Sequence, residues 1–138
     1  MLHLLRAVLL VGVAGGHHGC DDSTIAAFDE QMARAWTWKA IHRLRQTFPD
    51  CDDGEMAEAY SDRVVHLLAT QWKSLGSLHK LMVKDATFHS FVIRHVDATT
   101  DLTEMQAVAR HAAQECASSL QELCKEIAAA AAEARKGM

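Results

Sequence analysis

Residues 50–72 read Asp50-Cys51-Asp52-Asp53-Gly54-Glu55-Met56-Ala57-Glu58-Ala59-Tyr60-Ser61-Asp62-Arg63-Val64-Val65-His66-Leu67-Leu68-Ala69-Thr70-Gln71-Trp72, a polar loop running into one long amphipathic segment. Asp52 followed three positions later by Glu55 has the pattern of a capping box, so a helix is expected to start here. Met56, Tyr60, Val64, Leu67, Leu68 and Trp72 are then spaced by three, four or one residue, one apolar stripe for nearly five turns. A stripe that broad needs other helices against it, and this segment reads as the central helix of the fold.

Upstream, Asp22 or Ser23 can cap a first helix that carries Ile25, Phe28 and Met32 and runs to about Arg34. Trp36-Thr37-Trp38 reads as a break, with Thr37 capping a second helix bearing Trp38, Ile41 and Leu44, and Phe48-Pro49-Asp50 ends it because the residue before proline avoids the helical region. Downstream, Ser74 can cap a helix with Leu75, Leu78, Leu81 and Met82, and Asp85 one with Phe88, Phe91, Val92 and Val96. Asp97-Ala98-Thr99-Thr100 reads as a turn. Asp101 and Glu104 form a second capping box before Leu102, Met105, Val108 and Ala112. A final helix carries Leu120, Leu123 and Ile127 and then Ala128 to Ala132, with Glu133 to Met138 expected to fray. Nowhere does period-two alternation last more than a few residues, so the fold class is all-α: a compact array of six or seven short helices. The chain of 138 residues is 49% apolar and holds one proline, which suits a single folded domain over residues 17–138.

The N-terminus has the order of a secretory leader, a short start with Arg6, the apolar run Ala7 to Ala14 and the small residues Gly15-Gly16. The run is too short to span a bilayer, which takes about 20 apolar residues. A buried N-terminal helix is the alternative, but two glycines and two histidines end the run abruptly. A leader over residues 1–16 places the chain in the periplasm or outside the cell, and Cys20, Cys51, Cys116 and Cys124 all follow it. An even count in an exported chain implies disulfides, for which three connectivities are open. If Trp36-Thr37-Trp38 turns the chain back, Cys20 can approach Cys51; one straight rod of about 24 residues would hold them roughly 36 Å apart. The remaining pair, Cys116 and Cys124, would be about 12 Å apart along an unbroken helix, so it requires a break at Ala117-Ser118-Ser119, where a serine can cap the last helix.

Charge and motifs exclude several classes. With 14 Lys+Arg against 18 Asp+Glu the formal charge is −4, becoming −5 if Arg6 leaves with the leader, and no dense basic run marks a nucleic-acid binder. Gly-x-Ser-x-Gly, a phosphate-cradling glycine loop and His-Glu-x-x-His are all absent from the sequence. A cysteine nucleophile conflicts with oxidised sulfurs. No motif calls for a cofactor. His89, His95 and His111 lie on or near helices that could meet, but histidines scattered on amphipathic helices, His66 and His79 included, are more often surface or boundary residues than metal ligands. Cleavage after Ala14 would expose Gly15-Gly16-His17, a nitrogen set suited to Cu(II) or Ni(II). Lipid attachment at Cys20 would strand one of the other three cysteines. Asp50, Asp52, Asp53 and Glu55 offer a contact surface for a basic partner and do not meet the twelve-residue spacing of a calcium loop. Trp36 and Trp38 cannot both face one core, which leaves Trp36 as an exposed binding anchor.

The leader from Met1 to Gly16, the paired cysteines and the block Phe48-Pro49-Asp50-Cys51-Asp52-Asp53-Gly54 leading into Met56 to Trp72 together resemble the small periplasmic immunity proteins that bacteria pair with secreted cell-wall amidases. The resemblance is one of architecture and transfers no inhibitory contact residue by residue. It implies a non-enzymatic, all-helical envelope protein that occludes the active site of a toxic hydrolase, as a dimer or as a complex with its target. A metal-handling envelope protein using the nine histidines is the competing expectation, and an enzyme of unfamiliar type a third.

Overall fold

The computed structural model of the chain describes residues 20–98 and 100–138; the leader read at residues 1–16 and the Gly15-Gly16-His17 set lie outside them. The described residues form an all-helical array of α1 (Asp22–Met32), α2 (Trp38–Thr47), α3 (Gly54–Thr70), α4 (Leu75–Lys84), α5 (Ala86–Arg94), α6 (Leu102–Gln114) and α7 (Gln121–Lys136). Single 3-10 turns at Trp72–Ser74 and Ser118–Leu120 precede α4 and α7.

Short polar side chains set most helix starts by satisfying orphan amides of the first turn. Asp21, one residue earlier than expected, accepts from the Thr24 amide at 2.8 Å, Thr37 from Ala40 at 3.1 Å and Asp101 from Glu104 at 2.9 Å. Asp85 accepts from the amides of both Thr87 and Phe88 at 3.1 Å. The two capping boxes do not form as read. At α3 the cap position is Asp53, which makes no side-chain cap bond, and helix entry is made instead by Gly54 at φ +52°, a conformation that strains residues with a Cβ. At α6 only half the box closes, because the Glu104 carboxylate turns to His66 Nδ1 at 2.7 Å. Ser74 is no cap either: its hydroxyl donates to the Gln71 carbonyl and accepts from Trp38 Nε1 at 2.9 Å. Ser118 and Ser119 open a 3-10 turn without capping α7.

Helix α6 packs on α7 and α3 on α6, while α1, α2, α4 and α5 pack in succession around them. The stripe of α3 is buried at Tyr60, Val64, Leu67 and Leu68 and meets Phe28, Ile41, Leu78, Phe88, Phe91, Met105, Val108 and Ile127 in one core. Tyr60 is its hub, with Phe28 edge-on at 5.2 Å and Phe91 at 4.7 Å. Two further details depart from the sequence reading. Leu102 is 47% exposed, and the last turn does not fray at Glu133, since α7 continues to Lys136 with Ala134 buried.

Cys20 is bonded to Cys51 and Cys116 to Cys124, with Cα atoms 5.0 and 6.2 Å apart. The first bond closes the α1–α2 hairpin turned at Trp36-Thr37. The second spans the break after α6, whose helix stops at Gln114.

Candidate functional site

Three polar constellations lie on this scaffold. Asp52 leaves the α3 entry loop and accepts from His95 Nε2 and from Arg94, both at 2.7 Å, with Arg45 at 3.7 Å. The other ring nitrogen of His95 lies 2.7 Å from Ser61 Oγ, completing a serine, histidine and aspartate in contact. The Ser61 hydroxyl donates to Asp97 at 2.8 Å, so Ser61 bridges His95 and Asp97. Ser61 and His95 are only 1% and 3% exposed. Burial would push Asp52 up, but the hydrogen bond and charge of His95, followed by those of Arg94, outweigh it and hold this carboxyl below its usual range. The network fastens the loop at Asp52 to α3 and to the end of α5.

The remaining histidines with carboxylate partners act in the same way. His42 pairs with Asp85, His66 with Glu104, His89 with Glu126 and His111 with Glu115, so that with His95 five of the six described histidines are so engaged. His89, His95 and His111 therefore do not converge. Among the described residues no group of three or more His, Cys, Asp or Glu side chains is placed to hold a metal ion.

The second constellation surrounds Trp36. Its indole Nε1 donates to the Ala33 carbonyl at 2.9 Å, and the Arg63 guanidinium carbon lies 3.4 Å from its ring centroid. Arg63 is itself fixed by donating to the Met32 carbonyl at 2.8 Å and to that of Ala35, closing the C-terminal end of α1. His66 meets the same ring edge-on at 5.6 Å. Held on three sides, the tryptophan is still 47% exposed, at the mouth of a pocket of ≈ 500 Å³. Asp62, Asp101 and Glu104 line that pocket, against the one guanidinium of Arg63. Asp62 makes no hydrogen bond or ion pair with another described residue; burial first, then the like charges of Glu58, Glu104 and Asp97, push its carboxyl up.

The third is a groove of ≈ 660 Å³ between α2 and α4, which sequence reasoning missed. Lys39 and Arg43 stand on the α2 wall, Lys80 and Lys84 on the α4 wall, and Trp38 and Leu81 reach its floor. All four cations are exposed, and none forms an ion pair with a described residue. Within the lining, His42 Nε2 lies 2.9 Å from Asp85 Oδ2. Asp85 is held down to about 2 by the Thr87 hydroxyl, then by His42 and the Phe88 amide. The signal was present in the sequence as two like-charged pairs at i, i+4, a spacing that costs a few tenths of a kcal/mol per pair when nothing neutralises it.

Of the residues singled out from sequence, Trp36 is exposed while Trp38 is 3% exposed, so the two adjacent tryptophans serve different sites. Asp50, Asp53 and Glu55 are on the surface, whereas Asp52 is turned inward to His95. The acidic junction and Trp36 are not brought together: the ring packs at His66, eleven residues and about 16 Å along α3 from Glu55. Comparison with known proteins finds no match, since no family model, no curated protein and no solved structure matches the chain.

Proposed function

We propose that the protein is a non-enzymatic binding protein of the periplasm or cell exterior, and most concretely an immunity protein that inhibits a toxic secreted hydrolase by covering a basic patch on it. One observation carries the reading: Trp36 is half-exposed yet immobilised by Arg63 and the Ala33 carbonyl, beside carboxylates that have too few cations among them. A rigid indole loses little conformational entropy when a partner covers it, and tryptophan is the residue type most enriched among energetic hot spots. A lysine or arginine from the partner can lie beside the indole and relieve the repulsion around Asp62. Two disulfides support the compartment, and no helix among the described residues is long and apolar enough to cross a membrane.

The test is recovery of tagged, natively produced protein. One stoichiometric partner is expected to come with it and to be lost from Trp36→Ala while the far-ultraviolet circular dichroism stays unchanged. Recovery as a lone monomer at native expression, or undiminished capture by Trp36→Ala, overturns the reading.

A further inference from the structure

We infer that the groove between α2 and α4 is a second docking site, for an amphipathic helix of a partner that carries carboxylates along both edges of an apolar ridge. The groove runs from Thr37 to Gln46 on one wall and from Ser74 to Lys84 on the other, about 14 and 15 Å at the rise of a helix, which is three turns of an occupant. Each wall presents two cations four residues apart, Lys39 and Arg43 opposite Lys80 and Lys84, and so repeats at the spacing of acidic residues at i and i+4 on a docked helix. The floor at Trp38 and Leu81 is apolar and asks for the ridge between those acidic rows.

Charge decides the class of occupant. These four cations have no ion pair among the described residues, in a chain whose formal charge is −4. Asp85, the carboxylate beside the groove, is already engaged by His42, Thr87 and the Phe88 amide and does not compete for them. A small anion would reach one or two cations and leave the apolar floor uncovered, whereas a helix with two acidic edges reaches all four and covers it.

Fluorescence anisotropy on the full chain with both disulfides intact tests this. The probes are labelled fourteen-residue helical peptides with a leucine ridge flanked by glutamates, a copy with lysine for every glutamate, and polyglutamate of equal length. The glutamate-flanked peptide is expected to bind with salt-sensitive affinity, the lysine copy at least about tenfold more weakly. The double variant Lys39→Glu, Lys80→Glu, both at exposed positions, should lose at least about tenfold, while Trp36→Ala should leave this affinity unchanged. Equal binding of polyglutamate would reduce the groove to a general polyanion site and overturn the proposal. So would no binding of the glutamate-flanked peptide, indifference to the double variant, or salt-sensitive self-association of the chain that the double variant abolishes, since the occupant would then be a second copy.

Discussion

Removing the two disulfides one at a time, as Cys20→Ala with Cys51→Ala and as Cys116→Ala with Cys124→Ala, separates loop closure from local packing. The pairs are well matched, because each joins one buried cysteine, Cys51 or Cys124, to one partly buried one, Cys20 or Cys116. The voids left by alanine are therefore similar, and the loops differ: the cysteines are 31 residues apart in one bond and 8 in the other. Constraint of the unfolded chain then gives about 3.7 kcal/mol for the longer loop and about 2.5 kcal/mol for the shorter. The fold widens the gap. Once Cys20 is free, α1 is held by Phe28, Met32, its packing on α2 and the Arg63 bonds to its C-terminal end, whereas α6 and α7 pack along each other whether or not Cys116 is bonded to Cys124. Urea unfolding followed at 222 nm reads the difference; with a slope of about 1.5 kcal/mol/M the midpoints should fall by about 2.5 M and about 1.7 M. A Cys116, Cys124 variant that loses as much as the Cys20, Cys51 variant, or more, refutes the reasoning.

Tyr60→Phe is expected to be neutral or to stabilise by up to about 1 kcal/mol in the same assay, because the Tyr60 hydroxyl is buried without a hydrogen-bond partner among the described residues and its burial already pushes the phenol up. Asp52→Asn should cost about 2 to 4 kcal/mol at pH 7 by leaving His95 and Arg94 uncompensated. The folded-state acidity of Asp52 is depressed, so its contribution is present above the unfolded value of 3.8 and is lost as pH falls below it; the gap between wild type and variant should close in acid, and a constant gap from pH 7 to pH 3 would contradict the assignment. Asp85→Ala removes the α5 cap and the tie to His42 and should cost about 1 to 2 kcal/mol at neutral pH. That cost should fade between pH 3.8 and about 2, as urea titrations at several pH values would show.

The array was legible because it rests on apolar spacing. Phe28, Ile41, Leu67, Phe91, Val108 and Ile127 fall where the helical period puts them, and the break at Thr37 follows from cap chemistry, while the break at Ser118 falls where the sequence put it without the serine cap expected there. Local polar motifs carried less. Asp52 and Glu104 satisfy the capping pattern, but each has a histidine from a distant helix within reach, and a charge-assisted bond at 2.7 Å takes the carboxylate from the helix end. Leu102 stands three positions before Met105, at the spacing of the apolar face, yet it lies in the first turn of α6 and stays 47% exposed. Trp36 was legible as one of two adjacent tryptophans that cannot share a core. The α2–α4 groove was not, because its walls are 41 residues apart, from Lys39 to Lys80, and no local pattern says that these two helices meet.

A chain that works outside the reducing cytosol holds all four sulfurs bonded, and thiol titration of natively produced, intact material reads this directly. No accessible thiol is expected in denaturant until reductant is added, after which four should react, and peptide mapping should recover Cys20 with Cys51 and Cys116 with Cys124. Four thiols titrating without reductant would contradict the envelope assignment and, with it, the proposal of an exported binding protein.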